Sequence, residues 1–289
     1  MTRDILATIE SGMPSFSKGQ RAIGQFILDS YDKAAFMTAS RLGQTVHVSE
    51  STVVRFAAEL GYDGYPGMQK ALQEMVRSRL TSVQRIEIAD GRLGNQEILS
   101  TVMQADIEKI RMTLEETDRE SFYRAVEAIL SAHRIYVLGA RSASALADFL
   151  CYYFELIFDN TIPVHATSSS ETFEQLLRVG EEDVVIGISF PRYSSRTVKA
   201  MRFARERGAR VIAITDSEAS PLAEIATEKL LAKSDMASFV DSLVAPLSLI
   251  NALIVAVGRR RKRDIERIFS DLEQIWSEHG VYEQAEDEK

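Results

Sequence analysis

Two groups of residues in this 289-residue chain have the types and spacing to do chemistry. The first is Ser49, Ser51, Thr52 and Arg55, inside the stretch TASRLGQTVHVSESTVVRFAAELG at 38–61. Short hydroxyl side chains and one forked guanidinium at the start of a helix suit insertion into a DNA major groove and reading of base edges. The second group is Gly139, Arg141, Ser142 and Ser144, with Ser189, Arg192 and Ser194 further along the chain. Each half stands between an apolar run and a helical pattern. Hydroxyls, guanidinium groups and helix N-termini that converge on one crevice bind a phosphate monoester or a related small acid. Ser168, Ser169 and Ser170 could add contacts to sugar hydroxyls. Any one of these serines is as readily a simple helix cap; convergence of both loops is what distinguishes a binding site.

The first group needs two short helices and a tight turn. The second helix is expected from residue 50 to about residue 60. Ser49 precedes it and can accept from the free N–H groups of the first turn. Val48 and Val53 occupy the two positions of a hydrophobic staple. Val53, Phe56, Ala57 and Leu60 recur at helical spacing as one buried stripe, and Gly61 stops the helix. His47 stands in the turn where glycine is frequent; histidine tolerates a left-handed backbone better than most residues. No cysteine or second histidine lies near His47 in sequence, so no metal role is expected. A surface helical hairpin without DNA function shows the same pattern, so spacing alone leaves both readings open.

The second group needs a sheet. From Arg134 the hydrophobic period changes. Residues 135–142 (IYVLGARS), 183–189 (DVVIGIS) and 210–216 (RVIAITD) read as apolar strands, with weaker candidates at 161–165 and 229–232. Helical patterns at 143–158, 172–179, 195–207 and 221–226 separate them. Such alternation predicts a parallel sheet covered on both faces. Five strands suit the flavodoxin-like order 2-1-3-4-5. Its switch point lies between the first and third strands, beyond whose carboxyl ends both serine–arginine loops fall.

Elsewhere, residues 1–80 read as a bundle of four or five helices, small for a lone core and sufficient in a dimer. Helices are expected over 4–11, from Ser17, and from about Met68 after the turn signals Gly64 and Pro66, with a connection at 32–37. Residues 81–95 read as a linker. Residues 96–116 and 121–130 are long helical patterns, fit either for dimerisation or transmission or for plain cover of the sheet. The most apolar stretch, 239–258, contains Asp241, Pro246, Ser248 and Asn251, which favours a buried core or subunit-interface helix over a membrane span. The basic run 259–263 complements the dipole at that helix's end. A helix with one apolar face follows over 264–276, and the last residues, GVYEQAEDEK, look frayed.

At 45% hydrophobic and 26% charged, the composition is that of a soluble globular protein of about two domains. The single cysteine, Cys151, excludes an intrachain disulfide and fits a reducing cytoplasm. The start, MTRDILATIES, lacks the apolar core of a signal peptide. The net charge of −8 looks wrong for a DNA binder, yet residues 1–80 hold nine Lys/Arg against eight Asp/Glu, and the acidity lies in the remainder. A near-neutral head can read DNA if its few cations face one way; non-specific affinity is then weak, and binding leans on specific contacts and dimerisation.

The run VSESTVVRFAAELGYDGY at 48–65, within a matching segment 16–72, resembles the signature of the RpiR/MurR family of bacterial transcription regulators. Residues 125–258 resemble a SIS (sugar isomerase) domain, the usual partner of an RpiR-type head. The first SIS phosphate loop is a glycine-rich turn ending in serine, matched by Gly139 and Ser142. The second is Ser-x-Ser-Gly-x-Thr, where this chain has Ser189-Phe190-Pro191-Arg192-Tyr193-Ser194. The first serine is kept, and Ser194 keeps a hydroxyl at the threonine position. Pro191 loses a hydroxyl and an N–H, and Arg192 gains a guanidinium. Either Arg192 takes over part of the anion binding or the pocket prefers a different acid; the bidentate fork of arginine favours the first.

The resemblance implies an all-α helix-turn-helix head at 1–80, a linker and connecting helix at 81–124, an α/β flavodoxin-like SIS body with a five-stranded parallel sheet at 125–258, and a C-terminal helix and tail at 259–289. It implies a cytoplasmic regulator, a repressor of carbohydrate-metabolism genes, that binds double-stranded operator DNA as a homodimer or homotetramer under control of a sugar phosphate or sugar acid. No cofactor, metal or membrane is expected. The alternative is a phosphosugar isomerase with an accessory DNA-binding head. Isomerisation needs a general base beside the sugar C1–C2, and His165, Glu171 and Glu174 lie near the expected loops. The departures at Pro191 and Arg192 and the DNA-reading head favour binding without turnover.

Overall fold

The computed structural model describes residues 5–79, 81, 83–86, 97–165, 168–235 and 240–282. It divides into two compact units, Met1–Gly94 and Asn95–Lys289. Most of the expected linker at 81–95 and of the expected frayed end lies outside the described residues.

The first unit is helical: α1 (Ile5–Gly12), α2 (Lys18–Asp29), α3 (Tyr31–Ala34), α4 (Ala39–Thr45), α5 (Glu50–Glu59) and α6 (Gly64–Arg79). Ser17 and Gln20 close a capping box on α2, and the Thr38 hydroxyl caps α4 by accepting from the Arg41 N–H. Ile9, Ile23, Ile27, Leu42, Phe56 and Met68 are fully buried, and the rings of Phe16 and Phe56 meet edge to face at 5.2 Å. Two expectations shift. The connection at 32–37 contains the single-turn α3, and α6 begins at Gly64 rather than near Met68. Pro66 falls in the first turn of α6, where a missing N–H has no intrahelical bond to lose. From α6, the Tyr65 hydroxyl and the Gln69 amide both donate to the Met37 carbonyl at 2.7 Å, which ties α6 to the chain ahead of α4.

Gly43 decides how closely α4 and α5 approach. The Val48 N–H donates to the Gly43 carbonyl at 2.8 Å, and a Cβ on Gly43 would stand 2.8 Å from the Val48 carbonyl oxygen. That neighbour is backbone and cannot swing aside. Gly43→Ala is therefore expected to cost about 1–3 kcal/mol. A urea titration followed by circular dichroism reads this as an earlier transition; an unshifted curve would mean that the turn relaxes freely.

The second unit contains α7 (Ile98–Glu116), α8 (Arg119–Leu130), β1 (Ile135–Gly139), α9 (Ser142–Ile157), β2 (Thr161–Pro163), α10 (Ser169–Gln175), β3 (Val184–Ile188), α11 (Ser195–Glu206), β4 (Arg210–Thr215), β5 (Glu228–Leu231), α12 (Val244–Arg260) and α13 (Lys262–Glu278). The sheet is all parallel in the order β2-β1-β3-β4-β5, as the flavodoxin-like reading expects. Alternate strand residues serve opposite faces. Ile135, Val137, Ile186 and Ile212 pack with residues of α8, α9 and α12, whereas Tyr136, Leu138, Val185 and Val211 pack with residues of α11 and with Leu176 and Val179, which follow α10. This is the doubly covered sheet that continuous apolar strands require.

The segment 221–226 forms successive turns instead of the expected helix. Its ends are pinned: the Ser220 hydroxyl accepts from the Leu222 N–H, and the Thr227 N–H donates to the Val211 carbonyl. Six residues held at both ends cannot repay the nucleation cost of a helix. The helix expected over 172–179 starts earlier, because Ser168 and Glu171 form a capping box ahead of α10.

The basic run meets local partners. Arg261 donates to the Ile157 carbonyl at the end of α9, pairs with Asp264 at 3.1 Å and lies over the Phe158 ring, while Arg260 pairs with Glu127. Among the described residues, no helix is long and apolar enough to cross a membrane, and no metal-binding cluster of His, Cys, Asp or Glu occurs.

Cys151 is buried in the core. Burial first, then Glu155 and Asp148, push its thiol up to about 12. Since the thiolate is the reactive form, an aromatic disulfide reagent at pH 8 is expected to label Cys151 only after unfolding. Rapid stoichiometric labelling of the native protein would contradict its burial.

Candidate DNA-reading helix and anion crevice

Between α4 and α5 the chain turns through His47, whose φ is +57°, the left-handed conformation expected of it. Ser49 caps α5: its hydroxyl accepts from the Thr52 N–H and lies 2.9 Å from the Ser51 hydroxyl and 2.8 Å from that of Thr52. Val53, Phe56 and Ala57 are buried on one side of α5. Ser51, Val54 and Arg55 are exposed on the other. The Arg55 Nε donates to the Ser51 carbonyl at 3.3 Å, which leans the side chain back toward the start of the helix. Thr52 is half-buried, with its methyl on the side facing Gly19 of α2. The four residues read from sequence are thus brought together in two roles. Ser51 and Arg55 present outward groups, and Ser49 and Thr52 shape the turn beneath them.

In the second unit, Gly139 of β1 pairs in register with Ile188 of β3. The two loops therefore leave the sheet as neighbours, about 4.8 Å apart, at the switch point. A Cβ on Gly139 would meet the Ala143 carbonyl oxygen at 2.4 Å, so glycine is required for α9 to start this close to the strand. Ala140 follows, and then Arg141 at φ +60° and ψ −128°. Its carbonyl accepts from both the N–H and the hydroxyl of Ser144, at 3.0 and 2.7 Å. Arg141 and Ser142 are exposed at the N-terminus of α9. The hydroxyl of Ser144 is thus committed to closing its own loop.

The second loop is built around Ser189, which is buried. Its hydroxyl accepts from the Ser194 N–H at 3.1 Å, drawing the loop shut across Phe190, Pro191, Arg192 and Tyr193. Ser194 caps α11 by accepting from the Thr197 N–H. Arg192 is exposed and has φ +66°. Arginine has replaced the glycine of the SIS pattern while the backbone keeps a glycine-like conformation. Non-glycine residues at positive φ are uncommon, and such strain gathers at ligand sites. Here it occurs on both loops of one crevice, at Arg141 and Arg192.

A support that sequence reasoning missed lies beneath this loop. The Tyr193 hydroxyl donates to Asp216 at 2.8 Å, and Thr215 and Ser220 join hydroxyls at 2.7 Å. Burial, and then the Asp216 charge, push the Tyr193 phenol well above its usual range, so it stays protonated and keeps donating. The signal was present in RVIAITD, because Asp216 leaves the carboxyl end of β4 on the same edge of the sheet. The groups considered as isomerase bases are placed otherwise. His165 is exposed with Asp148 at 3.6 Å, Glu171 closes the capping box of α10, and Glu174 is exposed.

The fold defines a class: a helix-turn-helix unit joined to a SIS-type doubly wound sheet. Residues 3–79 match the helix-turn-helix domain of the rpiR family, and residues 128–256 match the SIS domain. The RpiR transcription factor of Sphaerobacter thermophilus, solved as its sugar isomerase domain, is 30% identical with a TM-score of 0.59, over 62% of this chain and 99% of that one. The HTH-type transcriptional regulator HexR of Escherichia coli is 26% identical over 269 residues, 89% of each chain. The NanR protein of Vibrio vulnificus, solved with ManNAc-6P, shares the fold at 22% identity and a TM-score of 0.59, over 94% of this chain and 98% of that one. The chain belongs to the rpiR family of helix-turn-helix transcriptional regulators.

Proposed function

We propose that this protein is a cytoplasmic, homo-oligomeric repressor of carbohydrate-metabolism genes that binds operator DNA and is controlled by a sugar phosphate or related small acid. Residues 1–80 read DNA, 81–124 link and connect, 125–258 sense the effector, and 259–289 complete the body. The observation that carries the reading is the outward Ser51–Arg55 face on a capped second helix whose opposite side is fully buried. Twofold pairing would present two such helices to a palindromic site. On the body, Arg141, Ser142, Ser189, Arg192 and Ser194 surround the start of two helices, where the helix dipole favours an anion. Effector binding changes DNA affinity by no more than its differential affinity for the two states of the protein.

Binding without turnover is supported by the fate of the candidate bases: Glu171 is spent on a helix cap and His165 faces a carboxylate at the surface. A thermal-shift screen against phosphorylated sugars and sugar acids tests the sensor. Stabilisation by at least one class is expected, and a flat screen would count against the crevice. A turnover assay over the same compounds tests the alternative enzyme; measurable aldose–ketose isomerisation would overturn the reading as a pure regulator.

A further inference from the structure

The head covers its large apolar side chains with one exception. Across α1 to α6, among the side chains the structure describes, Val54 is the one large hydrophobic group left exposed, at 41%. A single valine on a surface ordinarily needs no explanation. The position of this one does. Ser51, Val54, Arg55 and Ala58 recur at i, i+3, i+4 and i+7 and are all exposed, so they form one outward strip of α5. Val53, Phe56 and Ala57 are buried on the opposite side and fix which way that strip faces. Local structure gives valine no advantage there. Its branched Cβ loses rotamer freedom in a helix, and an unbranched residue suits an exposed helical position better.

We propose that Val54 is a specificity-determining residue that reads the 5-methyl group of a thymine, within about one or two base steps of the base met by Arg55. The assignment rests on the reading of α5 as the recognition helix and names what a further side chain of that helix selects. In the major groove, bases are distinguished by hydrogen-bonding atoms and by the thymine methyl, the distinctive apolar group on offer. An apolar side chain between a hydroxyl and a guanidinium has that methyl as its complement. Packing the two together removes apolar surface of both from water. The placement along the helix agrees. Val54 stands just past the first turn of α5, in the amino-terminal part that reaches base edges in helix-turn-helix complexes. The Arg55 Nε bond to the Ser51 carbonyl leans the guanidinium toward the same end.

A duplex selected from a random pool by the full-length protein supplies the probe. Each thymine of its half-site is replaced in turn, in both halves together, by deoxyuridine, which removes only the methyl and keeps every hydrogen-bonding atom. Fluorescence anisotropy is expected to find one position where the unaltered protein binds the uracil duplex more weakly. The loss of one methyl-sized apolar contact amounts to about fourfold per half-site and about 15-fold for both. Val54→Ser is expected to keep the melting profile, because the position is exposed, and to bind the thymine and uracil duplexes alike.

A half-site without thymine, or replacement without effect at every thymine, would overturn the assignment. So would an equal loss in Val54→Ser and the unaltered protein, because groove shape rather than contact would then carry the preference. In each of these cases, a selected duplex that Arg55→Ala fails to retain leaves α5 standing as the recognition helix. A selection that yields no common sequence would overturn both.

Discussion

Arg55→Ala is expected to abolish specific retention of operator DNA while leaving the assembly state, the melting profile and effector binding unchanged. Arg55 is exposed and its bond within α5 uses only Nε, so loss of the guanidinium leaves the buried face of Val53, Phe56 and Ala57 intact. The terminal arms of an arginine match the O6/N7 edge of guanine, a pairing worth about 1–3 kcal/mol of discrimination. A twofold assembly loses it in both half-sites, which amounts to a fall of about 30-fold to 10⁴-fold in specific affinity. Fluorescence anisotropy with operator and scrambled duplexes separates the possibilities. If Arg55 instead touched phosphate, affinity for both duplexes would fall together and the salt slope would drop by about two, one for each half-site. Unchanged operator affinity would sink the assignment of α5 as the recognition helix.

Arg192→Gly is expected to move two properties in opposite directions. Arg192 holds φ +66°, where a Cβ is strained and glycine is not. Relieving that strain is worth about 1 kcal/mol, the lower end of the left-handed penalty, after allowing for the greater freedom of glycine in the unfolded chain. The melting temperature should therefore rise by a few degrees. Effector affinity should fall by about 10- to 100-fold, because a charge-assisted bond to the bound acid is removed. A residue with only a structural role would not give this divergence. Ser142→Ala, at the exposed start of α9, should weaken the effector alone and preserve ligand-free DNA affinity. Normal effector affinity by calorimetry in both variants would place the ligand elsewhere.

These two sites were legible in the sequence to different depths. The reading helix was almost fully legible. Its cap, buried stripe, stop and strained turn residue all lie within a few positions of one another, and local periodicity reports local structure. The crevice was legible as a location. Alternating strands and helices imply the order 2-1-3-4-5, and that order places both serine–arginine loops at one edge. What each loop residue does was not legible. Gly139 is needed for packing against Ala143, Ser144 closes its own loop, and Ser189 holds Ser194 in place. Composition assigns all of them the same polar or small character.

Sequence by itself determined the two-part plan, the family, the strand order and where both candidate sites fall along the chain, because each depends on repeats and motifs written along the chain. Tertiary structure alone decided three things. Gly43, unremarkable in the pattern, is where the backbone of the following turn comes within reach of α4. Arg192, at the glycine position of the SIS pattern, takes a left-handed backbone conformation. And α7, whose apolar spacing fits a covering helix and an interface equally well, leaves Leu99, Met103, Ile107 and Leu114 uncovered. For α7 the deciding contacts come from residues far along the chain, Lys233 and Ser242. A periodic pattern can say that a face is apolar; only the packed neighbours determine whether that face is already covered.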